Sequence, residues 1–313
     1  MAHYLDPKND LTFKRVFGEH KHLCISLINS MLPLKNPIVS IEYQTGELVP
    51  PELTDVLRNT IVDIRCIDSE GRQFLVEMQL FWNESFKSRV LFNASKAFVV
   101  QLDKSEEFKL LKPVYALNFI NRTFENSPEM KDEYYHYYKI VNIKDTEKQI
   151  EGLEFLFVEL PKFKPHNRAE QKLHELWLRF LTEINETTEE APAELLENEY
   201  IREAVSYVER AAYTKAQLDT YYRRKVDTMT QTSMLSSSRA EGRAEGRAEG
   251  IVEGEAIGLK KGRVEGIAEG EVIGEKNKAL SIARNLLKKG MSIEEVSSAT
   301  GLAKQQIEDN IRN

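Results

Sequence analysis

The sequence predicts a mixed α/β fold for its first half, followed by helical segments. Short runs rich in Val, Ile, Phe and Tyr are typical of strands, and they alternate with segments whose apolar residues recur at helical spacing. The strand-like runs are 38–44, 61–67, 73–81, 113–120 and 153–160. The helix-like segments are LTFKRVFG, HLCISLINSML and 85–102. This order of helix, strand, hairpin, helix and strand indicates a sheet with helices packed on it.

Composition excludes several classes of protein. The 313 residues are 41% hydrophobic, which is enough to bury a full core. No apolar run approaches the roughly 20 residues that span a membrane, and the first residues lack a signal-peptide profile. We therefore expect a cytoplasmic protein without membrane contact, in which Cys24 and Cys66 are buried thiols. The net charge of −7 argues against bulk coating of nucleic acid, but a metal ion and a few cations can still set a local field.

Four zones differ in their pattern. We expect an α/β core over 1–165, a helical extension over 166–235, a glycine repeat over 236–275 and a small helical module over 276–313. In the extension, the segment ELWLRFL is expected to turn Leu176, Trp177 and Phe180 toward the core.

Glycine recurs at every fourth position from 242 to 274. Each glycine inside a helix costs about 1 kcal/mol relative to alanine, whereas the Ala, Glu, Arg and Lys between the glycines favour helix. Two interpretations stay open. The segment is a marginal helix or fluctuating tether, or the glycine row lets two helices approach closely and forms a homo-oligomer.

The last zone has clear helix boundaries. Gly290 is a C-terminal cap, Ser292 and Glu295 form the pattern of a capping box, and Gly301 ends that helix. Two short helices around a tight turn resemble a helix-turn-helix. The alternative is a small packing or dimerisation module, because the predicted third helix, AKQQIEDNI, carries one lysine and two acids.

The stretch TIVDIRCIDSEGRQFLVEMQLF (60–81) predicts a hairpin with a three-residue loop over 69–71. Opposed residues then have numbers that add to 140, so Asp63 faces Glu77. Alternation gives one apolar face, formed by Val62, Ile64, Cys66, Phe74, Val76, Met78 and Leu80. The other face holds Asp63, Arg65, Glu77 and Gln79 together with Ile61, Ile67, Leu75 and Phe81. Because this second face is partly apolar, we expect the helix over 85–102 to cover it.

Two opposed carboxylates repel each other unless a positive charge lies between them. A bound Mg²⁺ or Mn²⁺ removes the repulsion and can activate water at a phosphodiester. The alternative is an ordinary hairpin with solvated acids. Asp10 lies on the same helical face as Phe13 and Phe17, which places a third acid at the edge of the core. Arg89 and Lys87 are candidate phosphate contacts or ordinary surface cations.

Five segments in this order resemble a known family: NDLTFKRVFG, VDIRCIDSEGRQFLVEMQ, SRVLFNASKAFVVQL, PVYALNFIN and LEFLFVELPKF. They are similar to the PD-(D/E)XK nuclease family transposases, also called the Rpn family of recombination-promoting nucleases. The resemblance covers about residues 1–235, and SIARNLLKKGMSIEEVSSATGL resembles the C-terminal segments of that family. It implies a restriction-endonuclease-like core and a divalent-metal-dependent DNA endonuclease linked to recombination, with no organic cofactor.

The resemblance also implies roles for individual residues. Asp63 corresponds to the first motif acid, with Val62 where the pattern has proline, and Glu77 corresponds to the second acid. These two carboxylates and the backbone carbonyl of Met78 would bind Mg²⁺ or Mn²⁺. Gln79 occupies the lysine position, as is common in this family, and would orient the attacking water.

Further residues are expected around that centre. Asp10 would be an outer or second-metal ligand. A glutamine cannot supply positive charge, so Lys14, Arg15 and Arg89 are the expected phosphate contacts. The alternative function is a catalytically degenerate nuclease fold that acts as an oligomeric DNA-binding or regulatory protein. An RNA substrate is a weaker third possibility.

Overall fold

The computed structural model describes residues 3–47, 62–83, 85–102, 107–165 and 172–312, without the side chains of 235 and 310–312. The chain has two compact units, Met1–Thr232 and Ser233–Asn313. Within the described ranges, no helix is both long enough and apolar enough to cross a membrane.

The strands of the described residues form one mixed sheet in the first unit. They are β1 (Ile41–Gln44), β2 (Ile64–Asp68), β3 (Gln73–Gln79), β4 (Val114–Ile120), β5 (Tyr135–Asn142) and β6 (Asp145–Glu159). Their order across the sheet is β1-β2-β3-β4-β6-β5. The pairs β3/β4 and β4/β6 are parallel, whereas β1/β2, β2/β3 and β5/β6 are antiparallel. The predicted mixed α/β class is therefore confirmed.

Helices pack around this sheet and continue beyond it. They are α1 (Asp10–Phe13), α2 (Lys21–Met31), α3 (Ser85–Val99), α4 (Leu173–Glu183), α5 (Ala193–Leu196), α6 (Glu199–Val208), α7 (Lys215–Lys288), α8 (Ile293–Thr300) and α9 (Lys304–Arg312). A π-helical turn, Lys14–Gly18, continues α1. Short 3₁₀ turns occupy Phe108–Leu110, Leu160–Lys162 and Arg210–Ala212.

Each face of the sheet has its own apolar layer. The larger layer packs Phe13 and Phe17 against Trp177 and Phe180 of α4, so the inward orientation predicted for the ELWLRFL segment is confirmed. Cys24 and Cys66 lie in the same layer as buried free thiols. The smaller layer lies beneath α3, whose buried apolar residues are Phe86, Val90, Ala94 and Ala97.

The hairpin has the predicted register and turn. Ile64 pairs with Val76 and Ile67 with Gln73, and Gly71 adopts a φ of +82°. The Asp68 carboxylate holds the turn, because Oδ1 accepts from the backbone N–H groups of Glu70 and Arg72. The polar face is covered by α3, as expected.

The apolar face is shorter than alternation predicts. Val62 packs in the smaller layer under α3 instead of the larger one, because β2 begins only at Ile64 and alternation does not extend before it. Leu80 lies beyond the end of β3 and is half-buried at the edge of a pocket. Ile61, predicted on the polar face, lies outside the described residues.

Two strand segments were not predicted. β5 is an edge strand, and the first half of β6 is exposed along most of its length. A strand with solvent on both sides has no apolar alternation, so only the buried end of β6 has a strand-like pattern.

In the second unit, the glycine repeat is part of helix α7. A Cβ atom added at each glycine from 242 to 274 would meet no heavy atom within 4 Å, the helix backbone aside, so contact along the glycine row stays a prediction. The boundaries beyond the repeat are confirmed: Gly290 has a φ of +91°, Ser292 and Glu295 form a capping box, and Gly301 caps α8 with a φ of +72°. Ala283, Val296, Leu302 and Ile307 form a small core.

Candidate active site

Asp63 lies one residue before β2 and takes over a hydrogen bond where the strand pairing ends. Odd residues of β3 direct their backbone groups to β4, as the bond from Asn121 N–H to the Gln79 carbonyl shows (2.9 Å). Met78 therefore directs both its N–H and its carbonyl toward β2. Its N–H donates to Asp63 Oδ2 (2.9 Å), since the Val62 backbone is turned away to bond Gly46. The Asp63 carboxylate and the Met78 carbonyl thus face the same side of β3.

Glu77 is a buried carboxyl beneath α3. It is 7% exposed, and its Oε1 accepts a hydrogen bond from Asn93 Nδ2 (3.2 Å). Arg89 Nη2 lies 3.8 Å from its Oε2. Burial raises the pKa of Glu77 to about 7; the charge of Asp63 also raises it, whereas Arg89 and Asn93 lower it. The charge of Asp63 therefore acts on Glu77, and Glu77 is close to half-protonated at neutral pH.

Gln79 is held by the same arginine. Arg89 Nη2 donates to Gln79 Oε1 (2.8 Å), which leaves the amide NH₂ group of Gln79 as a donor. Arg89 also lies over the Phe86 ring, 4.9 Å from its centroid. One cation from α3 thus contacts both Glu77 and the residue in the lysine position.

A second cation joins Asp10 to Asp63. Lys14 Nζ lies 2.6 Å from Asp10 Oδ1 and 3.7 Å from Asp63 Oδ1. Asp10 also forms an ion pair with Arg224 of α7. Asp10 of α1 is therefore linked to Asp63 by Lys14, which lies close to both carboxylates.

Two candidate phosphate contacts lie elsewhere. The guanidinium of Arg15 stacks over Tyr213, 4.2 Å from the ring centroid. Lys87 Nζ lies 4.6 Å from the centroid of Phe124 and 5.9 Å from those of Trp82 and Tyr138. Neither cation contacts Asp63 or Glu77 in the part of the chain that the structure describes.

Asn93 is a site residue that the sequence analysis missed. It is 2% exposed, and its Oδ1 has no hydrogen-bond partner among the described residues. The helical spacing left open whether Phe92 or Asn93 is buried, and Phe92 is 42% exposed. A polar residue on the buried stripe of α3 was the available signal. Arg224 was also missed, because nothing in its local sequence relates it to Asp10.

The donor set suits a hard divalent cation. Two carboxylates and a backbone carbonyl offer only oxygen, and Mg²⁺ usually takes one or two carboxylates and keeps several waters. A cation would also neutralise Glu77, whose ionisation is opposed by burial and by Asp63. No group of three His, Cys, Asp or Glu side chains within the described ranges is arranged to hold a metal, so the fit rests on Asp63, Glu77 and Met78.

The mixed sheet with flanking helices agrees with the α/β fold of PD-(D/E)XK nucleases. The chain matches the family model described as PD-(D/E)XK nuclease family transposase over residues 7–238, and it belongs to that family. Residues 276–310 match the model described as Rpn/YhgA-like nuclease family, C-terminal HTH domain. The predicted family and helix-turn-helix are thereby confirmed. No curated protein and no solved structure matches the chain.

Proposed function

We propose that the protein is a divalent-metal-dependent DNA endonuclease. The observation that carries the proposal is the buried Glu77 carboxyl, whose pKa is about 7, beside Asp63. Arg89 lies 3.8 Å from Glu77, and Lys14 lies 3.7 Å from Asp63. Burying a carboxylate next to another one destabilises a fold, and perturbed groups of this kind concentrate at functional sites. A bound divalent cation would offset the repulsion between the two carboxylates.

Asp63, Glu77 and the carbonyl of Met78 would hold Mg²⁺ or Mn²⁺. When bound, such an ion lowers the pKa of a water molecule and stabilises charge that develops on a phosphodiester. Gln79, whose Oε1 accepts from Arg89, donates from its NH₂ group to orient the attacking water, and it cannot remove a proton.

Arg89 and Lys14 are the phosphate contacts of the proposal. Both are half-exposed, so each can exchange part of its ion pair for a phosphate oxygen. Asp10 positions Lys14 through the 2.6 Å ion pair. Arg15 has no part in this arrangement, because it stacks on Tyr213.

DNA is the substrate that the family and the helix-turn-helix tail favour. A nuclease unit joined to a second DNA-binding unit gains affinity by raising the local concentration of substrate. Recombination or transposition is the corresponding biological role, again on the basis of the family.

The test is a plasmid-nicking assay with Mg²⁺ and Mn²⁺. Asp63→Asn keeps an oxygen acceptor for the Met78 N–H but removes the charge, so nicking should be lost while thermal stability stays close to that of the wild type. Asp132→Asn, which changes an exposed acid of the first unit, is the matched control and should nick normally. Cleavage that survives both Asp63→Ala and Glu77→Ala would refute the proposal.

One observation favours the second candidate, a catalytically degenerate protein that binds DNA or regulates. Lys14 and Arg89 already place positive charge beside Asp63 and Glu77, so the acids have partial neutralisation without a metal. Calorimetric titration separates the two functions. Absence of Mg²⁺ and Mn²⁺ binding at pH 8 supports the degenerate protein, and binding that Asp63→Asn abolishes supports the nuclease.

A further inference from the structure

A small pocket lies in the first unit at the carboxyl ends of two parallel strands. Its volume is about 180 Å³, and its lining includes Phe81 after β3, Asn121 and Arg122 after β4, Asn9 before α1, and Lys225 and Thr228 of α7. Crevices outside the carboxyl ends of parallel strands are common ligand sites in α/β proteins. The acidic centre does not account for this pocket.

The pocket and the acidic centre are built from the same three segments. Asn9 precedes Asp10, and Leu80, a further lining residue, follows Gln79. Lys225 follows Arg224, the ion-pair partner of Asp10. A polymer whose backbone passes the acidic centre would therefore bring its neighbouring unit to the pocket.

Both acids that line the pocket are paired with other side chains, whereas one cation, Arg122, is not paired within the described ranges. Glu186 is paired internally, because it lies 2.7 Å from Lys225 Nζ and accepts from the Tyr221 hydroxyl (2.6 Å). Asp6 is paired with Lys8 at 2.9 Å. Arg122 is exposed and has no ion pair with any described residue. The edge of the pocket thus suits a phosphate backbone.

The interior suits one flat heteroaromatic ring. The volume is below the 300–1,000 Å³ of ordinary organic ligand sites, so a whole cofactor would not fit. Asn9 uses its Oδ1 to cap α1, and its NH₂ group stays available as a donor. Asn121 makes no side-chain hydrogen bond with the described residues. Carboxamides read base edges, and aromatic rings such as Phe81 stack on unpaired bases.

We propose that this pocket receives an unpaired base of a DNA strand whose phosphates pass the acidic centre. The inference rests on the proposed nuclease function and narrows its substrate to DNA with a single-stranded or extrahelical nucleotide. In a fully paired duplex the base stays stacked and cannot reach the pocket, so such DNA loses this contact.

The experiment measures binding by the full-length protein in EDTA, where cleavage does not interfere. The probes are one duplex, the same duplex with a single extrahelical adenine, and the bulged duplex with an abasic site in place of that adenine. We expect about tenfold tighter binding to the bulged adenine than to the other two, as stacking of one base provides.

Two substitutions on α7 form a matched pair. Thr228→Phe fills the pocket and should abolish the preference for the bulged adenine. Thr230→Phe places the same side chain at an exposed position of the same helix and should leave the preference intact. Asn121→Ala, which adds no bulk, should reduce the preference severalfold and gives a second reading if Thr228→Phe disturbs folding.

Equal binding of the three DNAs by the wild type overturns the inference, and so does a preference that survives both Thr228→Phe and Asn121→Ala. Cleavage of plasmid DNA and of the bulged duplex, with Mg²⁺ or Mn²⁺ in place of EDTA, decides the proposed function separately. Cleavage without any preference for the bulge supports the nuclease and refutes the base pocket. A preference for the bulge without cleavage of either DNA supports the base pocket and refutes the nuclease.

Discussion

Replacing Glu77 by glutamine should stabilise the protein at alkaline pH while removing its proposed activity. The pKa of Glu77 is about 7 in the folded protein, against an ordinary value of 4.5. Between these values the folded state keeps a proton that the unfolded state has lost, so the free energy of unfolding falls as pH rises. Below pH 4.5 both states are protonated and the effect is absent; above pH 7 both are ionised and the destabilisation is complete.

The magnitude follows from that difference in pKa, which corresponds to about 3 kcal/mol. Glutamine has the same shape, carries no charge and can still accept the hydrogen bond from Asn93 Nδ2. The net pKa of about 7 already includes the attraction of Arg89 for the carboxylate, so the expected gain at pH 8 is at most about 3 kcal/mol. For a unit of this size, each kcal/mol raises the melting temperature by about 2–4 °C.

The assay is thermal unfolding in EDTA at pH 5 and pH 8. Glu77→Gln should melt above the wild type at pH 8 and close to it at pH 5. Glu70→Gln makes the same chemical change at the exposed hairpin loop and is the control. Equal effects of Glu77→Gln at the two pH values, or destabilisation at pH 8, would refute the reasoning.

Metal gives a second readout on the same two proteins when EDTA is replaced by Mg²⁺ and the melting temperatures are measured at pH 6 and pH 8. A ligand that binds only the folded state raises its stability, and Mg²⁺ requires the ionised carboxylate. Mg²⁺ should therefore raise the melting temperature of the wild type more at pH 8 than at pH 6. It should have little effect on Glu77→Gln at either pH.

Three further predictions concern the cations and the glycines. Arg89→Ala removes a charge that lowers the pKa of Glu77, so Mg²⁺ binding measured by calorimetry should shift to higher pH. The shift should be less than about one pH unit because Arg89 is half-exposed. An unchanged pH dependence of Mg²⁺ binding would contradict this prediction. Gln79→Lys places an ammonium beside Arg89 and should lower plasmid nicking about tenfold, with recovery when Arg89→Gln is added. Gly301→Ala should destabilise α8 and α9 by about 1–2 kcal/mol in hydrogen exchange because of the positive φ, whereas Gly258→Ala within α7 should stabilise by about 1 kcal/mol.

The hairpin was predictable because local rules determine it. A three-residue loop with glycine in the left-handed conformation sets the register, and period-two alternation sets the faces. The coverage of the polar face followed from its apolar members, Ile67 and Leu75. These rules fail at the strand ends, where Val62 leaves the alternation and the Asp63 side chain replaces a backbone acceptor.

Other parts of the centre depend on tertiary packing and could not be predicted. Asn93 reaches Glu77 because it lies on the buried stripe of α3 with Val90 and Ala97, and the helical spacing alone did not decide between Phe92 and Asn93 at that place. Arg224 pairs with Asp10 from a distant helix, and nothing in its local sequence singles it out from the adjacent Arg223 and Lys225. β5 lies at the edge of the sheet, and only its first half is packed while its second half is exposed, so apolar alternation does not mark its full length.

The contacts of Gln79 show how the packing of α3 can move a positive charge from one residue of the site to another. A lysine there would supply positive charge from β3, next to Glu77 and the scissile phosphate. In the proposed mechanism the charge comes instead from Arg89 of α3, which donates to the Gln79 amide at 2.8 Å and lies 3.8 Å from Glu77. A lysine at this position would have no acceptor for the Arg89 guanidinium and would repel it, so Arg89 would lose the contact that holds it beside Glu77. A neutral amide at 79 is thus the residue that lets the covering helix carry the charge, which is why adding a lysine should impair the site instead of restoring it.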